Sequence, residues 1–193
     1  MSWAVVPLPR EQWKGHPLIM DYATNEYYDV SIEHGADSFN VTMRKKHTSE
    51  PIVHTSEEYD FPDSLYQEHW EKAEAFGVIE DGKLIGAVEI CPEEWSNRLM
   101  VTELWVKDDR RRMGVGKALM DYAKARAVAD GRRAIILETQ SCNANAIGFY
   151  LHEGFELIGF DSCCYTNADI ARREVRLDLG WFSDGWRGVA KRK

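Results

Sequence analysis

The sequence predicts a mixed α/β fold, with a mostly antiparallel sheet carrying helices on its faces. Three observations predict it. Short β-rich runs separated by turn residues fill the first half, a glycine-bearing turn opens an amphipathic helix near residue 115, and the second half alternates in the order β, α, β, α, β. Strands joined by hairpins, followed by strands joined through helices, give a sheet of mixed direction. At 193 residues, 44% hydrophobic and 11% aromatic, the chain suffices for one compact domain and is too short for two independent enzymatic domains. We expect one domain over residues 1–183, including N-terminal strands within 13–55, followed by a basic tail at 184–193.

From Trp13 to Thr55 the pattern is strand-like, with runs at 18–20, 27–32 and 39–43 and turn residues such as His34-Gly35-Ala36-Asp37 between them. A meander or hairpin fits best. Pro62 and Asp63 then begin a predicted helix through about Phe76, stopped by Gly77. Two β-rich segments over 78–90 flank Asp81-Gly82, the strongest short hairpin signal in the chain. A strand over 99–106 leads into Lys107-Asp108-Asp109-Arg110 and the glycine turn. The helix that follows runs to about Asp130, with Val115, Leu119, Tyr122, Ala123 and Ala127 inward and Gly131 as its stop. A short buried strand over 134–138, a helix over 144–152 ended by Gly154, and strands over 155–165 and 174–182 complete the order. There is no internal repeat and no low-complexity segment.

The formal net charge is −8; the last ten residues carry a net +3, so residues 1–183 carry −11. Such a body repels a nucleic-acid backbone and favours cationic partners or substrates. Cys91, Cys142, Cys163 and Cys164 have no metal-ligand spacing, and adjacent Cys163 and Cys164 are poorly placed to pair with each other. Reduced thiols in a cytoplasm are the simpler account. The six histidines are scattered without an HExxH pattern, so no metal site is expected. No signal peptide or membrane span is visible.

Arg111-Arg112-Met113-Gly114-Val115-Gly116 lies where a strand runs into a helix, so the first helical N–H groups lack intrahelical partners and point at one spot. That spot attracts anions. Gly114 and Gly116 let the backbone curl against a pyrophosphate, while Arg111, Arg112 and Lys117 add positive charge. A dinucleotide-binding motif would need a third glycine where Leu119 stands, and a Walker motif needs Ser or Thr after Lys117, where Ala118 stands. A tight turn with a solvated basic cluster is the remaining alternative for this segment alone.

Here the chain resembles the GNAT superfamily of acetyl-CoA-dependent N-acetyltransferases. The pyrophosphate loop of that family, Gln/Arg-x-x-Gly-x-Gly/Ala, is matched by Arg111, Gly114 and Gly116. Its second signature, an Asn followed seven residues later by a Tyr and then by Gly-Phe, is matched by Asn143, Tyr150, Gly154 and Phe155. Within the family the resemblance points to streptothricin acetyltransferases, through Leu137-Glu138-Thr139-Gln140, Asn143, Phe149-Tyr150, Gly154-Phe155, Asp161, Tyr165 and Asn167. One departure is Val101-Thr102-Glu103, which keeps one carboxylate where those enzymes typically carry Ile-Glu-Asp.

The resemblance implies a GNAT fold, with a central mixed, mostly antiparallel twisted sheet of six or seven strands and about four helices. It implies acetyl-CoA as cofactor, held by Leu104, Trp105, Val106, Arg111, Arg112, Met113, Gly114, Val115, Gly116, Lys117, Asn143 and Ala146. Only a neutral amine attacks a thioester, and an amine of pKa about 10.4 is mostly protonated at neutral pH, so a base is useful. Glu138, at the end of its strand and twelve residues before Tyr150, is the first candidate. Its alternative is a strand-end carboxylate bonded to a neighbour. Tyr150 is implied as proton donor to the leaving thiolate, against a ring that only packs on its helix; Asn143 holds the pantetheine arm, caps the helix, or does both. Glu103, Trp105, Asp161 and Tyr165 are expected at the acceptor, with Trp95 and Trp181 as further aromatic candidates, since aromatic faces favour cations. The expected reaction is acetylation of a primary amine on a cationic small molecule of streptothricin type. The alternatives are a protein or peptide amine as acceptor, and an acyl-CoA-binding module without turnover. A homodimer is the expected assembly, with neither nucleic acid nor membrane as partner.

Overall fold

The computed structural model describes residues 3–56 and 63–183. Its elements in chain order are β1 (Val6–Leu8), α1 (Arg10–Trp13), β2 (Tyr22–His34), β3 (Phe39–His54), β4 (Glu74–Glu80), β5 (Lys83–Glu93), β6 (Arg98–Val106), α2 (Val115–Ala129), β7 (Ala134–Gln140), α3 (Ala144–His152), β8 (Glu156–Asp161), α4 (Asp169–Arg172) and β9 (Arg176–Trp181). Two compact units interleave among the described residues, one running through 3–20, 56, 63–137 and 181–183, the other through 21–55 and 138–180. The expected basic tail lies outside the described residues. Among the described residues no helix is long and apolar enough to cross a membrane.

The first unit is built on strands in the order β1-β4-β5-β6-β7. All neighbours are antiparallel except β6 and β7, which run parallel because α2 carries the chain across between them. The β4–β5 hairpin closes through Asp81 (φ 50°) and Gly82 (φ 74°), the double left-handed conformation that the Asp-Gly pair favours. On α2, Val115, Leu119, Met120, Ala123 and Ala127 are fully buried at helical spacing. Gly86 on β5 makes room for them. A Cβ there would stand 2.6 Å from Val115 Cγ1 and 3.1 Å from Leu119 Cδ1.

The helix predicted over 62–76 is not formed; Pro62 itself lies outside the described residues. Residues 63–73 make successive turns, and Phe76 belongs to β4. The backbone groups a helix would need are engaged elsewhere. Leu65 N–H donates to His16 O (3.0 Å), Gly15 and Leu18 N–H donate to Leu65 O and Asp63 O (both 2.8 Å), and Tyr66 N–H donates to the Glu89 carboxylate at 2.5 Å. These bonds sink Leu18, Leu65 and Tyr66 into a core with Leu8, Ala75 and Ala87, against which Trp13, Trp70 and Trp105 pack. For the same reason 18–20 is no strand: Leu18 is anchored in that core.

In the second unit β2 and β3 form one long antiparallel ribbon, extending well beyond the runs expected at 27–32 and 39–43. Val30, Ile147, Val175 and Leu177 form its core with Tyr28, Ile32, Met43 and Phe160. β8 pairs antiparallel with β9, and β9 neighbours β7. Counted through β7, which has residues in both units, the sheet has seven strands among the described residues, within the range expected. The strand predicted over 155–165 ends at Asp161. Beyond it the buried Asp169 carboxylate accepts from Tyr165 N–H (2.9 Å), Thr166 N–H and the Thr166 hydroxyl (both 2.7 Å), so these donors wrap an anion instead of joining a ladder.

Candidate functional site

In the first unit the glycine turn forms as expected. After β6 comes a short 3-10 turn at Asp108–Arg110, then Arg112 (φ 61°) and Gly114 (φ 84°), then α2. Gly114 occupies the N-cap and has no side chain, so no N-cap side chain covers the head of α2. The Val115 side chain is buried and only its backbone faces the turn. Charge at the turn is partly neutralised: Arg111 Nη2 lies 2.7 Å from Asp108, and Lys117 Nζ lies 2.9 Å from Asp121. Arg112 and Met113 are exposed, and the Met113 carbonyl accepts the Trp3 indole N–H at 2.9 Å.

β6 carries an irregularity opposite Glu89. Glu89 faces Glu103 and Ile90 faces Val101, which leaves Thr102 as the extra residue of a bulge. The Thr102 hydroxyl and Tyr66 N–H satisfy the two oxygens of the fully buried Glu89 carboxylate at 2.8 and 2.5 Å. Burial pushes the Glu89 carboxyl up, and these two donors oppose it. Pairing of β6 with β7 covers only Arg98–Met100, so among the described residues that edge has no strand partner at Leu104, Trp105 and Val106. The Trp105 indole N–H donates to Ile19 O at 2.8 Å and its ring packs against the core of the first unit, while its backbone pairs with Ala87 on β5. Glu103 is buried. Trp95 is 84% exposed under the Arg98 guanidinium.

The second unit holds the remaining candidates. Glu138 Oε2 lies 2.8 Å from Arg176 Nη1, and Arg176 Nε donates to Asp178 Oδ1 at 2.9 Å. Surrounding protein pushes the Glu138 carboxyl up, Arg176 opposes this and Asp178 adds to it. Asn143 caps α3, its Oδ1 accepting from Ala146 N–H at 3.1 Å, so the capping role is real and Ala146 N–H is engaged. Tyr150 is 8% exposed, its ring centroid 5.5 Å from Phe149 and 5.9 Å from Phe155. Gly154 (φ 85°) lets the chain reverse so that Phe155 N–H donates to Tyr150 O at 3.0 Å. Asp161 is exposed and accepts from Cys163 N–H at 2.9 Å, while Tyr165, in the loop that follows, is 40% exposed.

Sequence reasoning missed Arg176 and Asp178. Their alternation on β9 was legible, but only the register that sets Asp161 opposite Arg176 brings them beside known candidates. It also missed a buried brace at the end of β7. The Tyr22 hydroxyl donates to Gln140 (2.8 Å) and contacts Cys142 Sγ (3.3 Å), which lies 3.4 Å from His54 Nε2. Burial pushes the Cys142 thiol up, the opposite of what a nucleophile requires.

The profile of the Acetyltransferase (GNAT) family matches residues 41–155. A streptothricin acetyltransferase of Escherichia coli is 29% identical over 113 residues, which is 58% of this chain and 64%, just under two thirds, of that protein. Streptothricin acetyltransferase A of Bacillus subtilis (strain 168) is 29% identical over 141 residues, 73% of this chain and 78% of that one. A Bacillus anthracis str. Ames protein assigned to the streptothricin acetyltransferases, solved with acetyl coenzyme A, superposes with a TM-score of 0.72 at 21% identity over 94% of this chain and 99% of its own. At that identity the likeness establishes the fold. The family profile spans more than half of the chain and includes both the turn at the head of α2 and the Asn143-to-Phe155 segment: the protein belongs to the Acetyltransferase (GNAT) family.

Proposed function

We propose that the protein transfers the acetyl group of acetyl-CoA to a primary amine of a cationic small molecule, a streptothricin-type antibiotic. The observation that carries the acceptor side is the group of carboxylates around Arg176: Glu138, Asp178 and, opposite Arg176 in register, Asp161. Three carboxylates against one guanidinium leave a net negative surface suited to an ammonium-bearing acceptor. The relatives' streptothricin acetyltransferase names point the same way.

The residues present fit the cofactor. Gly114 has no Cβ and no capping side chain, so the head of α2 accommodates a pyrophosphate. The thioester, when bound, supplies an activated acetyl carbon. Glu138 takes the proton of the attacking amine. Tyr150 returns a proton to the leaving thiolate, whose thiol titrates near about 8.5. The four cysteines are free, in keeping with a reducing cytoplasm.

Streptothricin added to enzyme and acetyl-CoA should release thiol at a rate proportional to enzyme, read with a thiol dye. A flat response across streptothricin, polyamines and aminoglycosides would overturn the proposal in favour of a peptide acceptor or a binding module. Tyr150→Phe should lower kcat tenfold or more with little change in KM, the pattern of a lost proton donor. Gly114→Val would force a β-branched residue into a left-handed conformation at a cost of about 1–3 kcal/mol. Coenzyme A affinity measured by calorimetry should fall at least tenfold, and an unchanged affinity would move the phosphate site elsewhere.

A further inference from the structure

We propose that Arg176 and Asp178 form a charge-setting pair behind Glu138, in which Arg176 is a positioning residue that keeps the Glu138 carboxylate ionised and fixed, and Asp178 is its anchor. The inference rests on the reading of Glu138 as the base.

The geometry is specific. Arg176 reaches from β9 to Glu138 on β7 through Nη1 (2.8 Å) and is held on its own strand through Nε by Asp178 (2.9 Å). The guanidinium is thus gripped at two edges and cannot swing away without breaking both contacts. Asp178 has its own seat. It stands opposite Gly159 on β8, where a Cβ would come within 3.3 Å of Asp178 Oδ2, so the carboxylate lies across a strand position that carries no side chain. Only one Glu138 oxygen, Oε2, is in the ion pair, and the side chain keeps 41% of its exposure. That leaves a charged carboxylate held from behind and open in front. Ion pairs this exposed add little to stability, so support of the fold is a weak explanation for the arrangement.

The charged groups that act on Glu138 are Arg176 and Asp178 on β9; Asp161 on β8 stands opposite Arg176, and Cys164 lies in the loop that follows β8. Tyr22, Cys142 and His54 are grouped at Gln140. Of these, Arg176 makes the ion pair with Glu138, and Arg176 Nη1 also lies 3.8 Å from Cys164 Sγ. A positive charge in contact favours the ionised carboxylate, and the nearby Asp178 charge disfavours it, so the two neighbours act with opposite signs.

The test is the pH profile of kcat/KM with a confirmed amine acceptor. The acid limb should move up by about one unit or more in Arg176→Gln, because the lone carboxylate pair holds its proton more tightly. It should move down in Asp178→Asn, where that repulsion is removed, and stay near the wild-type position in Arg176→Lys with a lower kcat. Thermal melts of each variant check folding. Wild-type limbs in both Arg176→Gln and Asp178→Asn, with only the rates reduced, would overturn the proposal. If Glu138→Gln instead keeps the wild-type acid limb, it is the base assignment that fails, and this proposal falls with it.

Discussion

Glu138→Gln should lower kcat/KM for a streptothricin-type acceptor by about 10²- to 10⁴-fold, the usual contribution of a positioned general base. The substitution keeps the size of the side chain and leaves an oxygen for Arg176, so loss of rate reports the lost proton acceptor more than lost structure. The pH dependence gives a second readout. The ionised carboxylate is the active form, so wild-type kcat/KM rises with pH as Glu138 loses its proton. Partial desolvation by the surrounding protein shifts that rise upward from the ordinary carboxylate range, with Arg176 pulling it back and Asp178 pushing it further. In Glu138→Gln this limb should flatten. Equal kcat/KM in the two enzymes at neutral pH would remove Glu138 from the reaction.

Phe155→Ala should destabilise the fold by about 3–5 kcal/mol, the range for removing a buried aromatic ring. Phe155 is 2% exposed and is among the largest fully enclosed side chains. Its ring lies 5.9 Å from that of Tyr150, and its N–H closes the end of α3 on the Tyr150 carbonyl. The midpoint of thermal unfolding should fall by on the order of 10 °C, measured by circular dichroism. The surviving folded enzyme should also turn over more slowly, because the Tyr150 ring loses a neighbour that fixes it. A melting point within a degree or two of wild type would show that the ring is not part of the core.

Local chemistry made much of this fold legible. Asp81-Gly82 announced its hairpin, Gly131 and Gly154 ended their helices, and the apolar stripe from Val115 to Ala127 specified the buried face of α2. The stretch from Asp63 to Ala73 was misread because what decides it is distant. Glu89 and residues 15–18 take up its backbone donors and acceptors, and no pattern within the segment reveals that. The end of β8 fails for a similar reason, since Asp169 gathers donors that alternation alone would assign to a strand. The glycine turn was readable because spacing along one chain segment carries it. Arg176 and Asp178 become neighbours of Glu138 only through strand order.

The contact of Val115 and Leu119 with the bare backbone at Gly86 reaches beyond core filling. It moors the first turn of α2 to β5, so the donors at that helix end are aligned before any ligand arrives. Under the proposed function, an anion arriving there would meet donors already fixed by the core, and little of its affinity would go into ordering the loop. A side chain at residue 86 would lift the mooring. The same donors would remain, but each binding event would first have to assemble them.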